Sequence, residues 1–253
     1  IALYIGGITA VLLELAEPRV RTGVWEHTTF RTDPIPRMER TGLAAMVTVY
    51  GARSEAEKMI AGITRMHAKV RGTTPEGRDY HALQPELMDW VQVTASYGFL
   101  NAYHHFVTPL TQAQRDSFYR EALGAANLYG APGAPRDEAG QRALFDQMFA
   151  ELRDHSIVHE FLDIMRRTHA LPLPLRPLEG MLLQAAVSLL PQDVRELLGL
   201  DAGYTLAGWQ HSLIRRTGRL TDRMTVRAAP PAQACRRLDL PPGYLYRKRR
   251  GPD

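Results

Sequence analysis

Apolar residues recur along this chain at intervals of three and four nearly everywhere, and runs that alternate apolar with polar residues are scarce. The pattern predicts an all-α fold, a single globular multi-helix domain with almost no sheet. Helices are expected at about 35–50 after "DPIP", 84–107 opening on "QPELMDW", 111–129 after Thr111, 137–153, 155–168, 176–190, 192–199 and 204–224. Their starts carry Pro, Asp, Ser or Thr, residues that satisfy or dispense with the unpaired N–H groups of a first helical turn. The chain opens on "IALYIGGITAVLLELAEPRV", an apolar run interrupted by Glu14, Glu17 and Arg19. It falls short of the roughly 20 residues a membrane span needs, so a buried helix is expected. No basic segment precedes the run and no small-x-small site follows it, so a signal peptide is not expected. Within 54–71, Met59, Ile63, Met66 and Val70 form one stripe with Ile60 and His67 beside it, which places His67 on the buried side.

Pro- and Gly-rich breaks fall at "GTTPEGRDYHALQP" (72–85), "GAPGAPRD" (130–137) and "LPLPLRP" (171–177). None is long enough to separate domains, and no internal repeat is present. The expected organisation is one helical domain over 1–227 followed by a loosely packed basic tail over 228–253.

Charge changes the picture in one place. Of 31 Lys and Arg residues, four form "RKRR" at 247–250, and the remaining 27 equal the number of Asp and Glu. The body is electrically balanced, so no nucleic-acid partner is expected, and the tail suits at most a weak contact with a membrane surface. Cys235 is the only cysteine, which excludes an internal disulfide, a cysteine-built zinc or iron–sulfur site and covalent haem attachment through C-x-x-C-H. A reducing cytoplasm fits that usage.

Several chemistries lack their residues. No glutamate has a histidine three positions on, so the paired Glu-x-x-His sites of di-iron bundles have no anchor. Serine-hydrolase, dinucleotide and P-loop signatures are absent. His155 and His159 stand one turn apart without the glutamate of H-E-x-x-H or a third ligand, and adjacent His104 and His105 point to different faces. Two segments remain. "RMERT" (37–41) puts Arg37 and Thr41 on one helix face with Arg40 adjacent, a cation and a hydroxyl able to donate hydrogen bonds to dioxygen or hold a haem propionate. His67 is either a hydrogen-bonded core residue or the single imidazole a haem requires on an apolar helix; spacing alone does not choose.

The segments "LLELAEPRVRTGVWEHTTFRTDPIPRMERT", "RMHAKVRG" and "GRDYHALQPELMDWVQ", in that order, resemble the pattern of the MpaB and rubber-oxygenase (latex clearing protein) family. The likeness covers about residues 10–110 and extends more loosely to about 226. It implies an all-helical haem b fold whose characterised members cleave isoprenoid C=C bonds with O₂ to carbonyl products. By motif, His67 matches the proximal iron ligand, and Arg37, Arg40 and Thr41 match the polar cluster on the distal side. Arg40 stands where rubber oxygenases can carry a lysine that reaches the iron. An arginine stays protonated, so the position opposite His67 is expected open or held by water. Tyr80 falls at a motif position and is expected either near the cofactor or as an anchor of the 72–85 loop. Glu26, the nearest upstream acid, is a candidate base or a surface residue. Glu17 and Gln92 replace histidines of the A-H-P and W-V-H motifs. Met46, Phe99, Leu100 and Met181 are candidate channel residues or ordinary core. The activity implied is a haem b-dependent oxygenase acting with O₂ on an apolar unsaturated small molecule. The alternatives are a haem sensor or carrier without turnover, a haem peroxidase or peroxygenase, and a helical protein that binds no cofactor.

Overall fold

The structure, a computed structural model, describes residues 1–246 apart from Pro172 and Ala202. The basic run at 247–250 lies outside the described residues, and with it the membrane contact expected there.

Helix α1 (Ala2–Ala16) and helix α5 (Pro85–Phe106) form the centre. They run antiparallel in close contact, because Gly6 meets Gly98 and Glu14 lies beside Thr94. A Cβ built on Gly98 would sit 2.3 Å from the Gly6 carbonyl oxygen, and one on Gly6 would sit 2.7 Å from that of Gly98. Only glycine permits that approach. Ile5, Leu12, Leu13 and Leu15 of α1 then join Trp90, Val93 and Phe106 of α5 in the core. The core continues through Phe161 and Leu162 of α8 (Ser156–Arg167) and Leu182 and Val187 of α9 (Glu179–Ser188). Thr9 ties α1 to α9, its hydroxyl lying 2.9 Å from the Ala186 carbonyl. Gly98→Ala should cost about 1–3 kcal/mol by forcing the central pair apart. Gly7→Ala is the control in the same denaturant titration: no atom lies within 4 Å of its Cβ position, so the change should be neutral or stabilising by up to ~1 kcal/mol.

Around this pair stand α2 (Pro18–His27), α3 (Pro34–Tyr50), α4 (Arg53–His67), α6 (Gln112–Tyr129), α7 (Glu138–Phe149), α10 (Gln192–Leu197), α11 (Gly208–Asp222) and α12 (Pro230–Arg237). The one sheet among the described residues is a hairpin of three-residue strands, β1 (Arg71–Thr73) and β2 (Asp79–His81), inside the expected 72–85 break. The fold is all-α, as the periodicity implies. Helices α3, α5 and α6 match their expected spans within a residue or so, and Thr111 and Gln114 form a reciprocal capping box at the start of α6.

Three differences have local causes. The N-terminal segment yields a second helix, α2, beyond those the periodicity predicts: Glu17 caps it, its carboxylate accepting from the Val20 N–H at 2.8 Å, and Pro18 opens it. Helix α7 stops at Phe149, short of 153, and Arg153 N–H instead donates to the Ala16 carbonyl at 2.8 Å. The expected 176–190 helix divides into a 3₁₀ turn (Leu173–Leu178) containing Pro177 and then α9. Beyond residue 228 the chain forms α12, which packs on α3 with Ala232, Ala234 and Cys235 buried and Arg237 donating to the Tyr50 carbonyl. Among the described residues no helix is long and apolar enough to cross a membrane.

Candidate functional site

Helices α3 and α4 pack against each other and against α12 and α6, rather than broadly on the central α1–α5 pair. Helix α3 accordingly has no fully buried residue. On α1, the positions Gly7, Val11 and Glu14 stay half-covered, one stripe at helical spacing. On α5, the stripe Gln92, Ala95 and Phe99 is half-covered too. The empty space at the Gly7 Cβ position lies on that α1 face. Two well-packed helices in the middle of the molecule thus leave apolar flank without tight cover.

His67 is the last residue of α4. The inward side is shifted from the stripe the sequence suggests: Ile60 is the buried residue, Met59, Ile63 and Val70 are half-buried, Met66 is 61% exposed, and His67 shares the Ile60 side. His67 itself is half-buried. Its Nδ1 is enclosed and has no hydrogen-bond partner among the described residues. Leaving such an atom unpaired costs about 1–3 kcal/mol, and orphans of this kind concentrate at working sites. Burial, then the nearby Arg37 charge, holds the imidazole below its ordinary pKa. The ring is therefore neutral at pH 7, with a lone pair available.

Arg37 and Thr41 occupy one face of α3, as their spacing implies. The Arg37 guanidinium donates to Thr41 Oγ1, and the Thr41 hydroxyl in turn donates to the Arg37 carbonyl at 3.0 Å. Burial lowers the Arg37 pKa, with Glu14 opposing and Arg40 adding to the shift. Arg40 is exposed. Glu14, read in the sequence only as the end of an apolar run, belongs to this site. Burial pushes its carboxyl up to about 7, while the Arg37 charge and the Thr94 hydroxyl, 3.5 Å from Oε1, pull the other way. The signal for it was one acid on the apolar helix, four residues after Ala10. Arg37 on α3 thus lies within electrostatic reach of both Glu14 on α1 and His67 on α4.

The other residues separate from this group. Tyr80 is buried in β2, packs over Gly72 and Gly23, and its hydroxyl lies 3.3 Å from His27 Nε2. These contacts tie the hairpin to α2. Glu26 is exposed on α2. Glu17 is fully buried: Oε1 accepts from Arg19 Nε at 2.6 Å while Oε2 caps α2, and Arg19 also reaches Glu86 at 3.3 Å. A carboxylate at this position therefore builds a buried ion pair that an imidazole could not. Glu17→Ala should destabilise the protein by about 1–3 kcal/mol in chemical denaturation, because α2 loses its cap and Arg19 is left with only the half-exposed Glu86. Gln92 is half-buried, its amide 3.4 Å from Ser96 Oγ. His155 caps α8 through Nδ1, and His104 Nδ1 accepts from the Leu110 N–H. Leu100 is buried, Met181 packs against the main core, and Met46 and Phe99 are half-buried. Among the described residues no three His, Cys, Asp or Glu side chains converge as a metal site; a haem iron asks the protein for one imidazole, not three. Surface cavities of about 270 Å³ beside His105 and His211 and about 420 Å³ beside Tyr80 and His81 border neither His67 nor Arg37.

The family model described as the ER-bound oxygenase mpaB/B'/rubber oxygenase catalytic domain matches residues 1–228. The chain belongs to this family. No curated protein and no solved structure matches it. An mpaB/rubber-oxygenase catalytic domain points to an oxidoreductase of the oxygenase type, and its matched region spans α1 to α11 with every residue of the His67, Arg37 and Glu14 group inside it.

Proposed function

We propose that this chain is a haem b-dependent oxygenase that uses O₂ on an apolar unsaturated substrate of isoprenoid or lipid type, by oxidative cleavage of a C=C bond. The observation that carries the reading is His67: a neutral imidazole without a protein partner, at the end of a helix that stands off from half-covered faces of α1 and α5. The residues fit the group. A flat apolar macrocycle suits the Gly7–Val11 and Ala95–Phe99 surfaces, where a glycine leaves open space, and His67 Nε2 would hold the iron. Haem, when bound, supplies the activation of O₂ that side chains alone do not provide.

The remaining work belongs to the chain. Arg37, with its guanidinium braced on Thr41, places a fixed positive charge and hydrogen-bond donors where negative charge would develop, and being held in advance they need no reorganisation. Arg40 is exposed on α3 and, as a guanidinium with no acceptor, does not compete as a ligand. Glu14 carries or releases a proton near neutral pH beside that cation. Val11 and Phe99 keep water from the apolar side. Tyr80 and Glu26 take no part in this scheme; Tyr80 supports the hairpin. The single cysteine suits the cytoplasm, which is where we place the protein.

The test is oxygen uptake by haem-supplemented protein on a panel of terpenoids, polyisoprenes and unsaturated lipids, with carbonyl products identified by mass spectrometry. Uptake with carbonyl formation on one class supports the proposal. Tight O₂ or CO binding without turnover would make the chain a sensor or carrier, and turnover that starts only with added H₂O₂ would make it a peroxygenase.

A further inference from the structure

We propose that the outward face of α11 and the segment that follows it dock on an anionic lipid bilayer surface. The helix carries its inward side on Ile214 and Gly218, the latter so close to α5 that its Cβ would sit 2.4 Å from the Phe106 carbonyl oxygen. Its opposite side is apolar as well. Trp209 is 66% exposed, Leu220 62% and Met224 54%, and Leu213 is exposed between them. At 100° per residue, 209, 213 and 220 fall within one 40° sector of the helix, and Met224 follows two residues past its end. Arg216 and Arg219 fall in the adjoining sector, and Arg223 is the C-cap of the helix. An apolar ridge that includes an indole and is flanked by arginines is the pattern of a helix lying in the plane of a bilayer interface.

Charge decides the partner. Several arginines elsewhere on the surface are matched: Arg31 pairs with Glu160, Arg53 with Glu57, Arg166 with Asp163 and Arg195 with Asp201. Between 208 and 246 there are seven arginines and two acids, Asp222 and Asp239. The side chains of Arg216, Arg223 and Arg227 make no ion pair or hydrogen bond among the described residues. Asp222 instead accepts from the Tyr103 hydroxyl at 3.3 Å. Val226, Leu238 and Leu245 are exposed as well, and four more cations follow in sequence at 247–250. Nucleic acid would use the cations but has no need of the Trp–Leu–Met ridge; an anionic membrane uses both.

The test is co-sedimentation of the full chain with phosphatidylcholine vesicles, with and without phosphatidylserine. Binding is expected with phosphatidylserine and weak without it. Arg216→Glu with Arg223→Glu should weaken binding about tenfold or more, at roughly 1 kcal/mol per cation. Trp209→Ala with Leu220→Ala should weaken it as well, and both variants should keep wild-type circular dichroism. Trp90 is buried and Trp25 half-buried, so the expected blue shift of tryptophan emission on vesicles should vanish in Trp209→Phe. Equal binding to neutral vesicles, loss of binding only when 247–250 are changed to serine, or binding to duplex DNA but not to vesicles would each overturn the proposal.

Discussion

Protein purified from haem-supplied cells should show a Soret band, and His67→Ala should lose it while keeping its helical circular dichroism. The two possible roles of this histidine separate on stability. A hydrogen-bonded core histidine costs stability when removed, because its partners are left unsatisfied. His67 has no such partners: Nδ1 is buried and alone, so truncation to alanine removes an unpaired polar atom and should change apoprotein stability by no more than about 1 kcal/mol in either direction. Haem retention, by contrast, should fall from stoichiometric to undetectable. A variant that keeps its Soret band would place the iron on another residue, and a marked loss of stability without loss of haem would return His67 to a packing role. His67→Cys gives a second reading of the same position, since a thiolate ligand would shift the band rather than remove it.

The second large effect concerns Glu14 and pH. Its carboxyl, ordinarily at 4.5, is raised to about 7 in the fold. An acid raised on folding is protonated in the native state while ionised in the unfolded chain across that interval. The native state therefore binds the extra proton, and its stability falls as pH rises from about 4.5 to about 7, then levels off. The slope integrates to a ceiling of about 3 kcal/mol, which solvent reaching the partly covered carboxylate reduces. Glu14→Gln should flatten this part of the stability profile and raise the denaturation midpoint at pH 8. The gain is partly offset because Arg37 loses a neighbouring anion. Urea titrations of wild type and variant at pH 5 and pH 8 measure both effects. Parallel losses in the two proteins would mean that Glu14 is solvated like an ordinary surface glutamate.

The charge at Glu14 shows how site and fold depended on different information. In the sequence it is a polar break in an apolar run, indistinguishable from a helix end. It becomes a site residue only because Gly6 and Gly98 let α1 and α5 meet closely, which sets its neighbours as Thr94 and, from α3, Arg37. His67 has a similar history. Periodicity assigned it to a helix and an inward side, yet Met66 of the expected stripe faces solvent and Ile60 is the buried residue, because α4 packs against α3 and α6 rather than on the central pair. Tyr80 was equally open until its contacts with Gly72, Gly23 and His27 made it a support of the hairpin.

The sequence by itself determined the all-helical architecture, most helix boundaries, the exclusion of cysteine-based and Glu-x-x-His metal chemistry, and the pairing of Arg37 with Thr41. These rest on local physics: helical periodicity, caps, prolines and i to i+4 neighbours act within a few residues. Only the tertiary structure decided that Glu17 is the buried cap and ion-pair partner of Arg19, that Glu14 joins Arg37 and His67, and that the arginines of α11 lie beside an exposed apolar ridge without acidic partners. Burial and charge environment are sums over residues far apart in the chain, and no local pattern encodes them.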